Sequence, residues 1–246
     1  MQSRRSAATF LTTAALMICA TAPARAMDVS PMVSKITPAG AGSAYRMTVR
    51  NTSAVPATVE IEVYRMQVDS AGARSLVEED NDIVTFPVQS VIPPNREQVI
   101  QVRYMGDPVE EGRMYLVRAA QLPINMQTTP TDAGAGADVQ VAFTINTYVF
   151  VAPSKARAAV EVTAVSRMPN GDLVLSARNS GTGFAYLREA RITLTTADGR
   201  AHEVPAADVD VGQVSVMAAG STRQIRIPAR LISTVDGQIT ASIALL

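Results

Sequence analysis

From residue 139 the apolar side chains fall on every second position, Val139, Val141, Phe143 and Ile145. The chain then runs on through Tyr148, Val149, Phe150 and Val151 with no turn residue before Pro153. A period of two marks a β-strand with one buried face, and this run is about twice the usual length of 5 to 6 residues. It commits the middle of the chain to a sheet. Short strand-like segments separated by turn clusters lie on both sides, and no segment shows a helical period.

Before Pro153 the pattern predicts strands over 28–36, 45–50, 57–67, 82–89, 98–104, 113–122 and 139–151. Turn chemistry lies between them, as in Pro93-Pro94-Asn95 and Gly106-Asp107-Pro108. After Pro153 a second series covers 159–167, 173–178, 184–195, 209–217, 223–227 and 238–246, with Asn170-Gly171 as the strongest hairpin turn. The chain therefore reads as all-β, with domains over 27–153 and 154–246. A linker with one proline and little glycine argues for a fixed elbow. One sandwich of twelve or more strands is the alternative.

Residues 1–26 read as a secretory signal peptide: Arg4 and Arg5, an uncharged run over 6–20, Pro23, then Ala24-Arg25-Ala26 as the cleavage site. The general export route ranks above the twin-arginine route, because no apolar pair follows Arg5 directly. Ile18 before Cys19 is too large for a lipoprotein site. Cleavage leaves 220 residues with all 22 acids and 19 of the 22 bases, a net charge of −3 that offers no nucleic-acid footprint. No membrane insertion is expected of this mature chain. The only cysteine leaves with the signal, so burial alone must hold the cores.

Catalysis finds no support in the residues. The one histidine, His202, falls in a polar turn. The acidic run 78–82 lacks the ligand spacing and central glycine of a calcium loop. Residues 131–138, TDAGAGAD, neither open a helix nor contain a lysine, so they form no phosphate cradle. No cofactor and no metal are expected. A binding edge is the better reading of 139–151: an apolar strand beside a long polar loop, with no protective lysine or proline, is an aggregation hazard unless another chain pairs with it.

Several segments in order resemble the periplasmic pilus (fimbrial) chaperones, the PapD-like proteins. They are YRMTVRNTS (45–53), FPVQSVIPPNREQVIQVRY (86–104), RMYLVRAAQLPI (113–124) and VQVAFTINTYVFVAP (139–153), with weaker echoes at 171–187 and 216–228. The resemblance implies two immunoglobulin-like β-sandwich domains in an L-shaped arrangement. It also implies a non-enzymatic periplasmic function: binding pilus subunits by strand donation and delivering them to an outer-membrane usher. Val139, Val141, Phe143 and Ile145 match the donated row. A pilus structural subunit, or a chaperone-like sandwich that binds another exported protein, remains open beside it.

The family anchors the subunit's terminal carboxylate with an arginine on the first strand and a lysine on the last. Those positions fall here on Lys35, which keeps the charge without the bidentate fork, and on Tyr148, which keeps a hydroxyl. The basic residue that many relatives carry before the interdomain proline is Ala152. If 113–122 and 139–151 pair so that Arg113 faces Tyr148 and Arg118 faces Phe143, Arg113 supplies the missing cation. The alternative is a solvated arginine near a strand start.

Overall fold

The computed structural model describes residues 27–79, 81–123, 142–233 and 237–245. The expected signal peptide, and Val139 and Val141, lie outside these residues. Ten strands precede Pro153: β1 Met27–Ser30, β2 Val33–Ile36, β3 Ala44–Asn51, β4 Ala57–Val68, β5 Arg74–Glu78, β6 Ile83–Phe86, β7 Gln89–Ile92, β8 Glu97–Tyr104, β9 Arg113–Leu122 and β10 Thr144–Val151. They form two facing sheets, one ordered β1-β3-β8-β6 and the other β2-β10-β9-β4-β5, with β7 also paired to β4. Eight strands follow: β11 Val160–Arg167, β12 Leu173–Asn179, β13 Ala185–Tyr186, β14 Arg191–Thr196, β15 Ala201–Val204, β16 Val216–Met217, β17 Thr222–Ile227 and β18 Ile239–Ala244. Their sheets are β11-β12-β17, β13-β16 and β15-β14-β18, and no described strand before Pro153 pairs with one after it.

Alternation builds each core. Met47, Val49, Ile100, Val102, Val117 and Val149 are buried in the first sandwich; Leu173, Leu175, Leu194, Met217 and Ile225 are buried in the second. Each core is closed by a buried asparagine where its strand turns. Asn51 Nδ2 donates to the carbonyls of Val55 at 2.7 Å and Ile92 at 3.0 Å, while its Oδ1 accepts from Ser53 N–H at 2.9 Å. Asn179 Nδ2 donates to Gly183 O at 2.9 Å and Ala218 O at 3.0 Å, and its Oδ1 accepts from Ala159 N–H at 3.0 Å. The two Arg-Asn-polar turns, 50–52 and 178–180, thus do the same work in both halves.

Several expected strands are interrupted. The stretch 28–36 is two strands: the chain leaves β1, bends at Pro31, which has no N–H for a ladder, and enters the other sheet as β2. Residues 82–89 divide into β6 and the start of β7 around Pro87, and 184–195 breaks at a single 3-10 turn, Leu187–Glu189. Within 209–217 only β16 is a strand. β5 has no counterpart in the apolar pattern because four of its five residues are exposed.

A third apolar cluster joins the halves. Met66, Met114, Phe150 and Val216 are buried with Phe184 and Tyr186 against them. The Phe150 and Phe184 rings meet edge to face at 5.0 Å between centroids. Backbone bonds cross the junction as well: Gly112 N–H to Thr182 O at 2.9 Å, Val214 N–H to Gly72 O at 3.1 Å and Gln224 N–H to Ser70 O at 2.7 Å. Bonds that fix main chain to main chain hold one relative orientation of the halves, where a tether alone would leave it free. Among the described residues no helix is long and apolar enough to cross a membrane.

Candidate functional site

β10 pairs with β9 along its whole length, antiparallel, and with β2 in parallel from Tyr148 to Val151 only. β2 closes that side by accepting Tyr148 N–H at Met32 O, 2.9 Å, and Ala152 N–H at Ile36 O, 3.1 Å. Gln121 N–H donates to Phe143 O at 2.8 Å, so the odd residues of β10 bond to β9 and the even ones face the other way. The main-chain groups of Thr144 and Asn146 therefore point to a side with no strand among the described residues. Among the described residues the edge is half open: free over 144–147, closed from 148 onward.

Side chains follow the same alternation. Ile145, Thr147, Val149 and Val151 turn toward the first core. Phe143 and Ile145, at its upper end, are half-buried there. Asn146, Tyr148 and Phe150 turn to the opposite face of the sheet. On that face Arg118 donates to Asn146 Oδ1 at 3.1 Å and to Glu62 Oε2 at 3.1 Å, and its guanidinium lies 4.5 Å from the Tyr64 ring centroid. The Tyr64 hydroxyl donates to the same Glu62 oxygen at 2.7 Å, and this bond is the main cause that raises its pKa.

Further along the face, where the two halves meet, a cavity of about 310 Å³ is lined by Lys35, Phe150, Ala152, Ser154, Phe184 and Tyr186, among others. Lys35 is opposite Phe150 in the β2–β10 pairing, and its Nζ stands 4.3 Å from the Tyr186 ring centroid. A cation over an aromatic face is stabilised by about 0.5 to 2 kcal/mol. The Tyr148 hydroxyl accepts a hydrogen bond from Arg74 Nη1 at 2.9 Å. Lys35 thus lines the cavity from β2, whereas the Tyr148 hydroxyl leans the other way across the sheet, toward Arg74 on β5.

Arg113 does not join them. It lies opposite Val151, and Arg118 lies opposite Asn146, three residues away from the expected register. An odd slip turns each side chain to the other face, which neither strand's own alternation reveals. Arg113 Nη1 instead contacts Asp82 Oδ2 at 3.2 Å, and Tyr115 donates to the same oxygen at 2.6 Å. Burial, with this bond to Asp82 second, holds the Tyr115 hydroxyl's pKa far above its usual value. The acidic turn is thereby tied in: Glu79 Oε1 accepts from the backbone N–H of Asn81 and of Asp82, both at 3.0 Å. His202, expected in a solvated turn, is half-buried, with Nε2 3.1 Å from Leu231 O. Among the described residues no three acid, histidine or cysteine side chains gather as metal ligands.

The pattern reading missed Arg74, on the unexpected strand β5, and the Arg118 network. No short-range signal marks either, since both are assembled across strands.

The family model described as pili and flagellar-assembly chaperone, PapD N-terminal domain, matches residues 29–157. No curated protein sequence matches the chain. Among solved structures, a chain from a chaperone–tip adhesin complex of CFA/I fimbriae biogenesis is similar, with a TM-score of 0.60 and 11% identity over 90% of this chain and 95% of that one. The class 5 fimbriae chaperone CfaA aligns with a TM-score of 0.58 and 11% identity, over 89% of this chain and 99% of its own. The E. coli chaperone DraB gives 0.53 and 17%, over 87% and 86%. These likenesses are likenesses of fold: two β-sandwich domains.

Proposed function

Because this chain belongs to the pili and flagellar-assembly chaperone family, we propose that it captures pilus subunits on the half-open edge of β10 and passes them to an outer-membrane usher. The family is periplasmic, and residues 1–26 are read as the cleaved signal that takes the chain there. The observation that carries the reading is the state of β10. Among the described residues no strand pairs the outward main-chain groups of Thr144 and Asn146, which lie beside a row of apolar side chains that the protein's own core only half covers. An incomplete sandwich that takes this strand gains backbone bonds from the edge and burial from the row. Phe143 and Ile145 supply two members of that row, and Val139 and Val141 continue the same alternation in the sequence. Burying a large apolar side chain is worth roughly 1.5 to 3 kcal/mol, so the exchange needs no cofactor and no catalytic residue.

Delivery requires a second surface clear of the client. The outer face of the β1-β3-β8-β6 sheet has one: Phe86 is 75% exposed, with Val84 beside it on the edge strand β6 and Val99 exposed on β8. We assign this apolar patch to the usher.

Expression of the signal-bearing chain with candidate pilus subunits, followed by purification from the periplasm, tests the capture step. Wild type is expected to co-purify with a subunit and protect it from degradation. Thr144→Pro and Asn146→Pro each remove one N–H from the open side while sparing the bonds to β9, and are expected to abolish capture in a folded protein. Capture undiminished in both variants would refute strand donation.

A further inference from the structure

We infer that Asn146 reads the side chain laid beside it by the strand that pairs on β10, and that Arg118 makes this reading selective for a hydrogen-bond acceptor by fixing which end of the Asn146 carboxamide faces outward. This rests on the strand-donation reading above. On the outer face of the sheet the register sets Glu62 of β4, Arg118 of β9 and Asn146 of β10 side by side in one row. β2 joins β10 only from Tyr148 onward, so among the described residues no strand occupies the next seat in that row. A strand pairing along 144–147 fills it. Residues directly opposite across a ladder share a face, with Cβ atoms about 4.5 to 5.5 Å apart. One residue of the incoming strand therefore lies against Asn146.

The chemistry of Arg118 decides what Asn146 shows to that residue. A guanidinium has N–H donors and no acceptor, so the Asn146 atom that stands 3.1 Å from Arg118 Nε is the carbonyl Oδ1. The other arm of the planar carboxamide, Nδ2, is turned away from Arg118, and among the described residues nothing accepts from it. Arg118 is itself held in place. Its Nη1 donates to Glu62 Oε2 at 3.1 Å and to the Tyr64 hydroxyl at 3.0 Å, and its guanidinium lies over the Tyr64 ring. The Tyr64 hydroxyl donates onward to Glu62, so Arg118 is the donor to every neighbour and Asn146 is left to accept. Glu62 also matches the Arg118 charge, which makes the Nδ2 hydrogens, rather than a net charge, the feature presented at the open edge. A carboxylate, carbonyl or hydroxyl oxygen at the facing position gains a bond there. A lysine or arginine side chain, with donors only, finds no acceptor.

The test uses three fluorescein-labelled peptides in which valine alternates with one guest residue, glutamate, glutamine or lysine, so that a guest lies beside Asn146 in every register that turns valine to the core. Binding to the mature protein, residues 27–246, is followed by anisotropy in salt that screens net charge, and circular dichroism checks the fold of each variant. Wild type is expected to prefer glutamate and glutamine over lysine by about tenfold, the worth of one hydrogen bond. Asn146→Asp, whose outward oxygen can only accept, is expected to reverse the order, and Asn146→Leu to level it. Arg118→Met lets the carboxamide turn over and is expected to remove most of the preference, whereas Thr144→Pro should weaken all three peptides alike. A glutamate preference that survives Asn146→Leu places the selection in the charge of Arg118 and overturns the role of Asn146. A preference undiminished in Arg118→Met overturns the positioning role of Arg118. Equal binding of the three peptides by wild type overturns the selectivity but leaves strand pairing standing. Failure of all three to bind overturns strand pairing and the selectivity with it.

Discussion

Gly72 and Gly212 meet across the junction of the two halves, each in the space where the other's neighbour would hold a methyl group. A Cβ on Gly72 would lie 2.4 Å from Val211 O, and one on Gly212 would lie 2.3 Å from Ala71 O. Both residues have φ near +80°, at 80° and 83°, which only glycine adopts without cost. Gly72→Ala and Gly212→Ala should therefore each lose about 1 to 3 kcal/mol from backbone strain and steric conflict. The conflict lies at the junction, so the halves should also separate. Urea unfolding is expected to pass from one transition to two, with a broadened interdomain distance distribution in X-ray scattering.

Arg223 underlies the same junction. Its side chain is buried, and its guanidinium donates to Val211 O at 2.8 Å, to Val214 O, and to Val216 O at 3.1 Å. It thereby pins the 211–216 segment, which carries both Gly212 and the interface residue Val216. Burial lowers its pKa, and Asp69 opposes that shift. Arg223→Met would leave three carbonyls without a donor at a cost of about 3 to 5 kcal/mol. Arg223→Lys should recover less than half, since a compact ammonium does not span three acceptors that a planar fork reaches. Chemical denaturation of the two variants measures both values.

These contacts mark how far sequence reading goes. A period of two was enough to put Phe143 and Ile145 in one apolar row, and the segment YRMTVRNTS, which holds the Asn51 turn, was recognisable from its neighbouring residues. Such features are written in neighbouring residues. The register that sends Arg113 to Val151 is not, because a shift of three leaves each strand's own alternation intact. Arg74 and Tyr148 are 74 residues apart, and β5 carries no apolar alternation to announce a strand. Gly72 and Gly212 each look like an ordinary turn glycine until the fold brings them together.

Alkaline pH should find the first core through Tyr45. Its hydroxyl is buried, close to Ser34 and Thr147 but without a hydrogen bond of ordinary geometry, and burial pushes its pKa up to about 12 from 10.0. A folded-state pKa above the unfolded value means that the unfolded chain releases the proton first. The stability held below pH 10.0 is then lost as pH rises toward about 12, at up to roughly 1.4 kcal/mol per pH unit. Tyr45→Phe removes this titration and also an unpaired buried oxygen. At pH 7 it should be neutral or slightly stabilising, and its urea midpoint should fall less steeply above pH 10 than that of wild type, a comparison that isolates Tyr45 from the other tyrosines.

A change at Phe86 tests the proposed delivery step apart from the proposed capture step. Phe86 lies on β6, an edge strand of the sheet opposite the one that holds β10, on that sheet's outer face, and its ring is three-quarters exposed. An apolar ring left in water contributes little to the fold, so Phe86→Ser with Val84→Asp should change stability by no more than about 0.5 to 1 kcal/mol. Neither residue touches β10 or the cleft, so subunit capture should persist. If the patch is where the usher docks, the double variant should accumulate chaperone–subunit complex in the periplasm while surface pili fall at least tenfold, by the measure that a few buried apolar anchors dominate an interface. Counting pili by electron microscopy alongside the periplasmic complex reads both quantities in one strain. Normal piliation in that strain would remove the patch from the delivery step and leave the β10 edge as the one surface with an assigned partner.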